Sequence, residues 1–468
     1  MTTQEIGLNR AGSRVLTDWR PEDAAFWTST GRSIANRNLW ISIPCLFLAF
    51  AVWVVWSAVT VRLNNVGFHF SVNELFWLAS LPGLTGATLR GFYSFLIPVF
   101  GGRLWTTIST LSLLIPAGWM GFAVQDPTTP YSTFLIIALL CGLGGGNFAS
   151  SMANISFFFP KAQQGAALGL YAGLGNLGVS AAQFIVPLVI TMAAFGTVGG
   201  APQLTAKGAE MWLQNAGFIW VPFILLAAIA AWFGMNDIAS ARASFRDQAS
   251  IFACKHNYLM CWLYLATFGS FIGYSAGFPM LISTQFPDVD PLRYAFLGPL
   301  VGALIRPVGG WLSDRLGGAR VTFWNFVVMI AAVGGVLYAL PDTPGQGSFA
   351  LFLGLFMLLF VTTGVGNGST FRMIPIIYRV KHTRLAEKNG NAADDDTIRA
   401  ARRESAAVLG FSSAIGAFGG FFIPKSYGTS IALTGGPEGA LIVFAAFYLT
   451  CLGVTWWWYH RAGAEVSC

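Results

Sequence analysis

LPGLTGATLRGFYSFLIPVFGGRLWT, residues 81–106, and LGPLVGALIRPVGGWLSDRLGGARVT, residues 297–322, are two copies of one pattern, each with an arginine inside an apolar run. At a shift of 216, Leu81, Leu84, Gly86, Ala87, Arg90, Gly101, Gly102 and Thr106 fall on Leu297, Leu300, Gly302, Ala303, Arg306, Gly317, Gly318 and Thr322. An arginine in the bilayer core costs about 2.5–3.5 kcal/mol even on the lenient insertion scale, so such residues mark solute or ion pathways. Two of them at matching places in a duplicated chain point to a symmetric, cationic site for an anion.

The surrounding sequence is that of an integral membrane protein. Of 468 residues, 55% are hydrophobic and only 10% are charged, against about 25% charged in soluble domains. The mean hydropathy is +0.61. The apolar runs are continuous rather than alternating, which excludes a β-barrel. Stretches near the roughly 20 residues that span a bilayer fall at 39–60, 76–100, 105–124, 131–158, 166–190, 217–235, 258–282, 294–312, 321–340, 349–378, 406–427 and 439–459. The fold predicted is all-α and polytopic, with twelve transmembrane helices.

The net charge of +7 comes with no basic-aromatic surface module, so nucleic acid is not an expected partner. Topology accounts for it instead. With the N-terminus inside, twenty of the 27 lysines and arginines fall in cytoplasmic segments, among them Arg10, Arg103, Lys161, Arg242, Arg246 and Arg461. The outside keeps Arg62, Lys207, Arg293 and Lys425, and Arg90, Arg306 and Arg372 are intramembrane. This positive-inside bias puts both termini in the cytoplasm. The polar start of the chain lacks the apolar core and cleavage site of a signal peptide. The six cysteines show no metal-type spacing and read as small packing residues.

The polar linker at 236–257 divides residues 39–235 from 258–468, with 1–38 as a cytoplasmic N-terminal segment. The two parts repeat. Gly142, Gly144 and Gly146 match Gly364, Gly366 and Gly368 at a shift of 222; Ala166, Leu168, Gly169, Gly175 and Gly178 match Ala407, Leu409, Gly410, Gly416 and Gly419 at 241. Pseudo-symmetric six-helix halves of this kind are the major facilitator arrangement, with the site near mid-membrane between them. After Arg306, GGWLSDRLGGAR looks like that superfamily's loop signature, and places Asp314 and Arg315 where charges can latch the halves. Its N-terminal counterpart, FGGRLW, lacks the aspartate. The polar stretch 379–405 reads as solvated loop.

Arg90 and Arg306 each lie about 15–20 Å from either end of their helices, at 1.5 Å per residue, beyond reach of the headgroups. None of the 20 acidic residues falls in a helix core, so the counter-charge has to come from the solute. Guanidinium is planar with fixed donors and suits a small, flat oxyanion bound through two bonds. Phe50, Phe148, Phe268, Phe371 and Tyr264 lie at similar depth and can wall such a site, although each phenylalanine taken alone reads as packing. Gly169, Gly173, Gly175 and Gly178 flank Asn176, and Ser412 and Ser413 sit among Gly410, Gly416 and Gly419; small-residue packing and pathway roles are both open here. Arg372 is close enough to the cytoplasmic end to snorkel. No mid-membrane His, Asp or Glu offers a proton relay, and no metal cluster, nucleophile–base pair or phosphate loop offers catalysis.

TDWRPED (17–23), ANRNLWISIPCL (35–46), NFASSMANISFFFPK (147–161), GLYAGLGNLGVS (169–180), LYLATFGSFIGYSAGF (263–278), SDRLGG (313–318) and GFSSAIGAFGGFFIPK (410–425) resemble the nitrate/nitrite porter family nearly end to end. The resemblance implies a nitrate/nitrite antiporter of the bacterial cytoplasmic membrane, monomeric, not an enzyme and without cofactor or metal. Proton-coupled nitrate symport or nitrite export is the alternative. It further implies that Arg90 and Arg306 clamp the anion, with Asn176, Tyr264, Phe50, Phe148 and Phe268 around it and Ser412 and Phe371 nearby. Arg372 stands where the family leads one to expect a neutral polar residue.

Overall fold

An apolar run inside a bilayer must satisfy its own backbone polar groups, and a helix does so within the segment. The computed structural model describes residues 14–93, 96–239, 250–341, 347–388, 394–466 and 468. Its long helices are α1 (Ala24–Val66), α2 (Val72–Tyr93), α3 (Gly102–Ala123), α4 (Tyr131–Phe158), α5 (Lys161–Val189) and α6 (Asn215–Gly234). They continue with α7 (Lys255–Gln285), α8 (Pro291–Leu316), α9 (Gly318–Ala339), α10 (Phe349–Lys388), α11 (Thr397–Thr434) and α12 (Glu438–His460). Among the described residues eleven are long and apolar enough to cross a membrane, and α2, which carries Arg90, is the twelfth helix.

Several boundaries differ from those read in the sequence. The first helix begins near residue 24 rather than 39, because the Asp23 carboxylate accepts hydrogen bonds from the free Ala25 and Phe26 amides at 3.0 and 3.2 Å. Ahead of it, Val15–Leu16 pairs in parallel with Asp237–Ile238 of the linker. The remainder of that linker at 240–249, with Arg242 and Arg246, and Arg10 near the N-terminus lie outside the described residues. The stretch 379–405 is not a simple loop. Helix α10 runs on to Lys388 and the helix containing α11 starts at Asp395, with Asp394 capping the Thr397 amide at 2.8 Å. Alanine-, lysine- and arginine-rich sequence favours helix over coil there. Glu404 ties the two extensions together, at 2.8 Å from Lys381 and 2.6 Å from His382.

Glycines set the distances between helices. A Cβ on Gly144 of α4 would stand 2.1 Å from the Ala49 carbonyl oxygen of α1, and one on Gly178 of α5 the same distance from that of Phe47. In the second half, a Cβ on Gly364 of α10 would stand 2.3 Å from the Gly302 oxygen of α8, and one on Gly419 of α11 would stand 2.3 Å from Gly269 Cα of α7. Backbones this close exclude any side chain and exploit the small-residue packing that membrane helices favour. Gly101 and Gly317, equivalent in the two halves, turn the chain into α3 and α9 with φ of 83° and 90°, which an L side chain rarely adopts.

The halves meet at the end of the bundle away from the termini. There Arg62 pairs with Asp290 at 2.6 Å, Gln183 donates to the Ser275 carbonyl at 2.6 Å, and Lys425 donates to Asn73 Oδ1 at 2.8 Å. Gly83 of α2 abuts the Gly420 backbone of α11. Toward the termini α5 and α11 lose these neighbours: a Cβ on Gly169, Gly173 or Gly410 would find no atom within 4 Å. The bundle is sealed at one end and parted at the other.

Candidate functional site

Helix α2 carries Arg90 into the middle of the bundle, where it is 1% exposed. Its Nε donates to the Gly145 carbonyl of α4 at 2.8 Å, and Nη1 donates across the halves to the Ser413 carbonyl of α11 at 3.1 Å. Both acceptors are neutral. Nη2 has no partner in the protein. Around the guanidinium stand the rings of Phe148, Trp53, Phe268 and Phe50, with centroids 4.8, 5.1, 5.1 and 5.9 Å from Cζ. Such faces stabilise a cation without neutralising it. Trp53 was not singled out in the sequence, although it lies one helical turn after Phe50. Its indole donates to the Pro82 carbonyl at 2.7 Å, which fixes the ring beside Arg90.

Arg306, on the equivalent turn of α8, lies with Cζ 5.3 Å from the Phe371 ring, and its buried Nη1 has no partner. Tyr264 links the two arginines. Its ring stacks on Phe268 at 5.4 Å and stands 6.3 Å from Phe371. Its buried hydroxyl lies within electrostatic reach of both guanidiniums and approaches Arg306 without forming a hydrogen bond of ordinary geometry. Between Tyr264 and Phe268, α7 widens into a π-helical turn over Leu265–Gly269, a feature that recurs at functional sites. Phe148 and Phe268 complete the wall with stacked rings 6.4 Å apart.

Asn176 on α5 is 1% exposed, and neither atom of its amide has a partner. Its neighbours Gly175 and Gly178 press against Leu46 and Phe47 of α1, a turn from Phe50. Ser412 is turned away from the arginines: its hydroxyl lies 3.5 Å from Cys261 Sγ. The adjacent Ser413, noted in the sequence only as polar, supplies the carbonyl to Arg90, and its own buried hydroxyl is unpartnered. Main-chain acceptors of this kind carry no signal in a sequence.

The expected gating residues divide into two groups. Gly175, Gly178, Gly416 and Gly419 are close-packing positions within a half, while Gly169, Gly173 and Gly410 face open space. Asp314 does not bridge the halves; it pairs with Arg372 of α10, in its own half. Arg372 is therefore paired with a carboxylate of its own half rather than left free beside Arg90 and Arg306. Arg315 lies over the Trp311 ring at 4.2 Å, also within its half. The FGGRLW turn, which lacks the aspartate, receives a carboxylate from elsewhere in the chain, at the amide whose equivalent in the second half, Ala319, is bound by the Cys468 carbonyl. Asp237 accepts from the Arg103 amide at 2.8 Å and lies 3.4 Å from its Nε.

Two half-bundles that each carry an arginine inward, Arg90 buried and Arg306 half-buried, define a secondary transporter, and residues 41–389 match the Major Facilitator Superfamily. The chain belongs to that superfamily and, within it, to the nitrate/nitrite porter family. It is 54% identical over 463 residues to the nitrate/nitrite transporter NarU of Salmonella typhimurium, covering 98% of this chain and 99% of that one. It is 43% identical to the probable nitrate/nitrite antiporter NarK2 of Thermus thermophilus, covering 98% and 100%. A crystal structure of a bacterial homologue of the human lysosomal transporter Spinster shares the fold, with a TM-score of 0.64 at 15% identity over 91% of this chain and 96% of that one.

Proposed function

We propose that this protein exchanges nitrate for nitrite across the bacterial cytoplasmic membrane by alternating access. One observation carries the reading: buried donors on Arg90 Nη2, Arg306 Nη1, Tyr264 Oη and the Asn176 amide have no acceptor in the protein. A buried polar group left unpaired costs about 1–3 kcal/mol, more for a charged one. A small planar oxyanion supplies the missing acceptors, and the names of the relatives point to nitrate and nitrite. Arg90 and Arg306 clamp the anion; Phe50, Trp53, Phe148, Phe268 and Phe371 exclude water; Asn176 and Tyr264 complete its hydrogen bonds. Ser413 serves through its carbonyl rather than Ser412 through its hydroxyl.

The carrier works as a monomer of two rigid halves, residues 39–235 and 258–468, with both termini in the cytoplasm. The parted end is then the cytoplasmic mouth, and the conformation is inward-facing. Two like unit charges sharing one site repel by on the order of a few kcal/mol at an effective dielectric near 20. The empty site resists closure for that reason, and a monovalent anion relieves the repulsion so that Gly169, Gly173 and Gly410 can come together. If only the loaded carrier crosses readily, exchange is obligatory, with no covalent step. Liposome counterflow tests this: internal nitrite should accelerate nitrate uptake, with indifference to an imposed pH gradient. Uptake driven by the pH gradient and unaffected by internal nitrite would establish proton symport instead.

A further inference from the structure

Lys425 is a cation that the two-arginine site does not use. It lies on α11, twelve residues beyond the Ser413 that binds Arg90, or about 18 Å toward the sealed end at 1.5 Å per residue. Its ammonium donates to Asn73 Oδ1 of α2 at 2.8 Å and to Thr429 Oγ1 at 2.9 Å, and lies 4.5 Å from the Trp77 ring. All three partners are neutral. Lys425 takes part in none of the ion pairs formed among the described residues. Arg62, also at the sealed end, is by contrast paired with Asp290 at 2.6 Å.

Two of these contacts, with Asn73 and Trp77, belong to the opposite half and have to break when this end opens. Beyond Lys425, α1, α2, α7 and α11 enclose a cleft of about 400 Å³ lined by Thr60, Asn64, Val72, Thr284, Gln285 and Ile431. Those residues are uncharged. Val72 directly precedes Asn73, and Ile431 follows Lys425 by six residues on the same helix. Along α11 the order is therefore cleft, Lys425, arginine site.

We propose that Lys425 is an outer capture residue for the anion, held by Asn73 and Trp77 while the protein faces inward and released to the outer cleft when it faces outward. The inference rests on the transport reading and adds a second cationic station on the outer side of the membrane. Opening exchanges a neutral amide for an oxyanion as the partner of the ammonium, so a solute on the outside draws the free lysine away from the seal. A charge at the mouth of a low-dielectric cleft raises the local concentration of counter-ions, an effect that salt screens.

The test is initial-rate nitrate transport by the full-length protein in right-side-out and inverted membrane vesicles. Lys425→Met should raise the KM for external nitrate about five-fold at low ionic strength, with the difference narrowing as salt is added. The KM at the cytoplasmic face should stay within about two-fold, and Lys425→Arg should restore the external value. Asn73→Leu removes the clip but keeps the charge, so its external KM should equal or fall below that of the wild type. An external KM unmoved in Lys425→Met overturns the proposal, as does an Asn73→Leu variant that copies Lys425→Met, since that would make Lys425 a seal alone. A wild-type protein that moves no nitrate overturns the transport reading and this inference with it.

Discussion

Arg90 Nη1 and the Ser413 carbonyl, 3.1 Å apart, join the two halves at the depth of the site. The bond puts the charge of one half against a neutral dipole of the other. A solute oxyanion is a stronger acceptor than this carbonyl, and charge-assisted hydrogen bonds are roughly twice as strong as neutral ones. The contact can therefore guide closure without competing with the anion.

Replacing either guanidinium by an ammonium keeps the charge and loses the planar fork. Arg90→Lys and Arg306→Lys should each weaken nitrate binding about 100-fold or more, the scale of truncating a buried, hydrogen-bonded charge. Isothermal titration of folded, monodisperse protein measures it. Wild-type affinity in either variant would sink the clamp.

Tyr264→Phe separates binding from stability. The hydroxyl has no partner in the protein, so its removal leaves nothing orphaned and should not lower the Tm. Affinity for the anion should nevertheless fall about ten-fold, corresponding to about 1.4 kcal/mol. A lower Tm with unchanged affinity would place the hydroxyl in a structural role.

The glycines of α11 and α5 are expected to behave oppositely. Gly419→Ala puts a methyl 2.3 Å from Gly269 Cα and should cost about 1–3 kcal/mol of stability by overpacking. Gly169→Ala meets nothing within 4 Å here and should leave the Tm unchanged while slowing exchange, because it faces the surfaces that close in the other state. Thermal unfolding together with counterflow rates distinguishes them.

Asp314 and Arg372 pair on a half-exposed surface, with side chains 47% and 51% accessible. Such a pair contributes about 1 kcal/mol or less, so Arg372→Gln should hardly move the Tm. It frees Asp314 beside the parted faces and should change turnover while leaving the binding constant alone. An altered nitrate affinity in Arg372→Gln would return this arginine to the anion pathway.

The sequence by itself determined the membrane class, the duplicated plan and the two costly arginines. Those features are set by composition and by spacing along single helices, and a charge in an apolar run is legible without any partner. The glycine rows of α4 and α10 were legible for the same reason, since backbone contact tolerates only one residue type. Contacts that depend on how helices face one another were not. Trp53 looked like one more apolar residue until Pro82 fixed its ring beside Arg90. Ser412 and Ser413 were indistinguishable in sequence, and a rotation of about 100° per residue sends one hydroxyl to Cys261 and leaves the other position to offer its carbonyl to Arg90. Asp237, just after α6, binds the Arg103 amide at the FGGRLW turn, a contact between residues 134 apart in the chain. Tertiary structure alone decided that Arg372 belongs with Asp314 rather than with Arg90 and Arg306, because its partner lies 58 residues away on a neighbouring helix. It also decided which end of the bundle is shut. Closure is a relation between two halves, and no local run of residues encodes it.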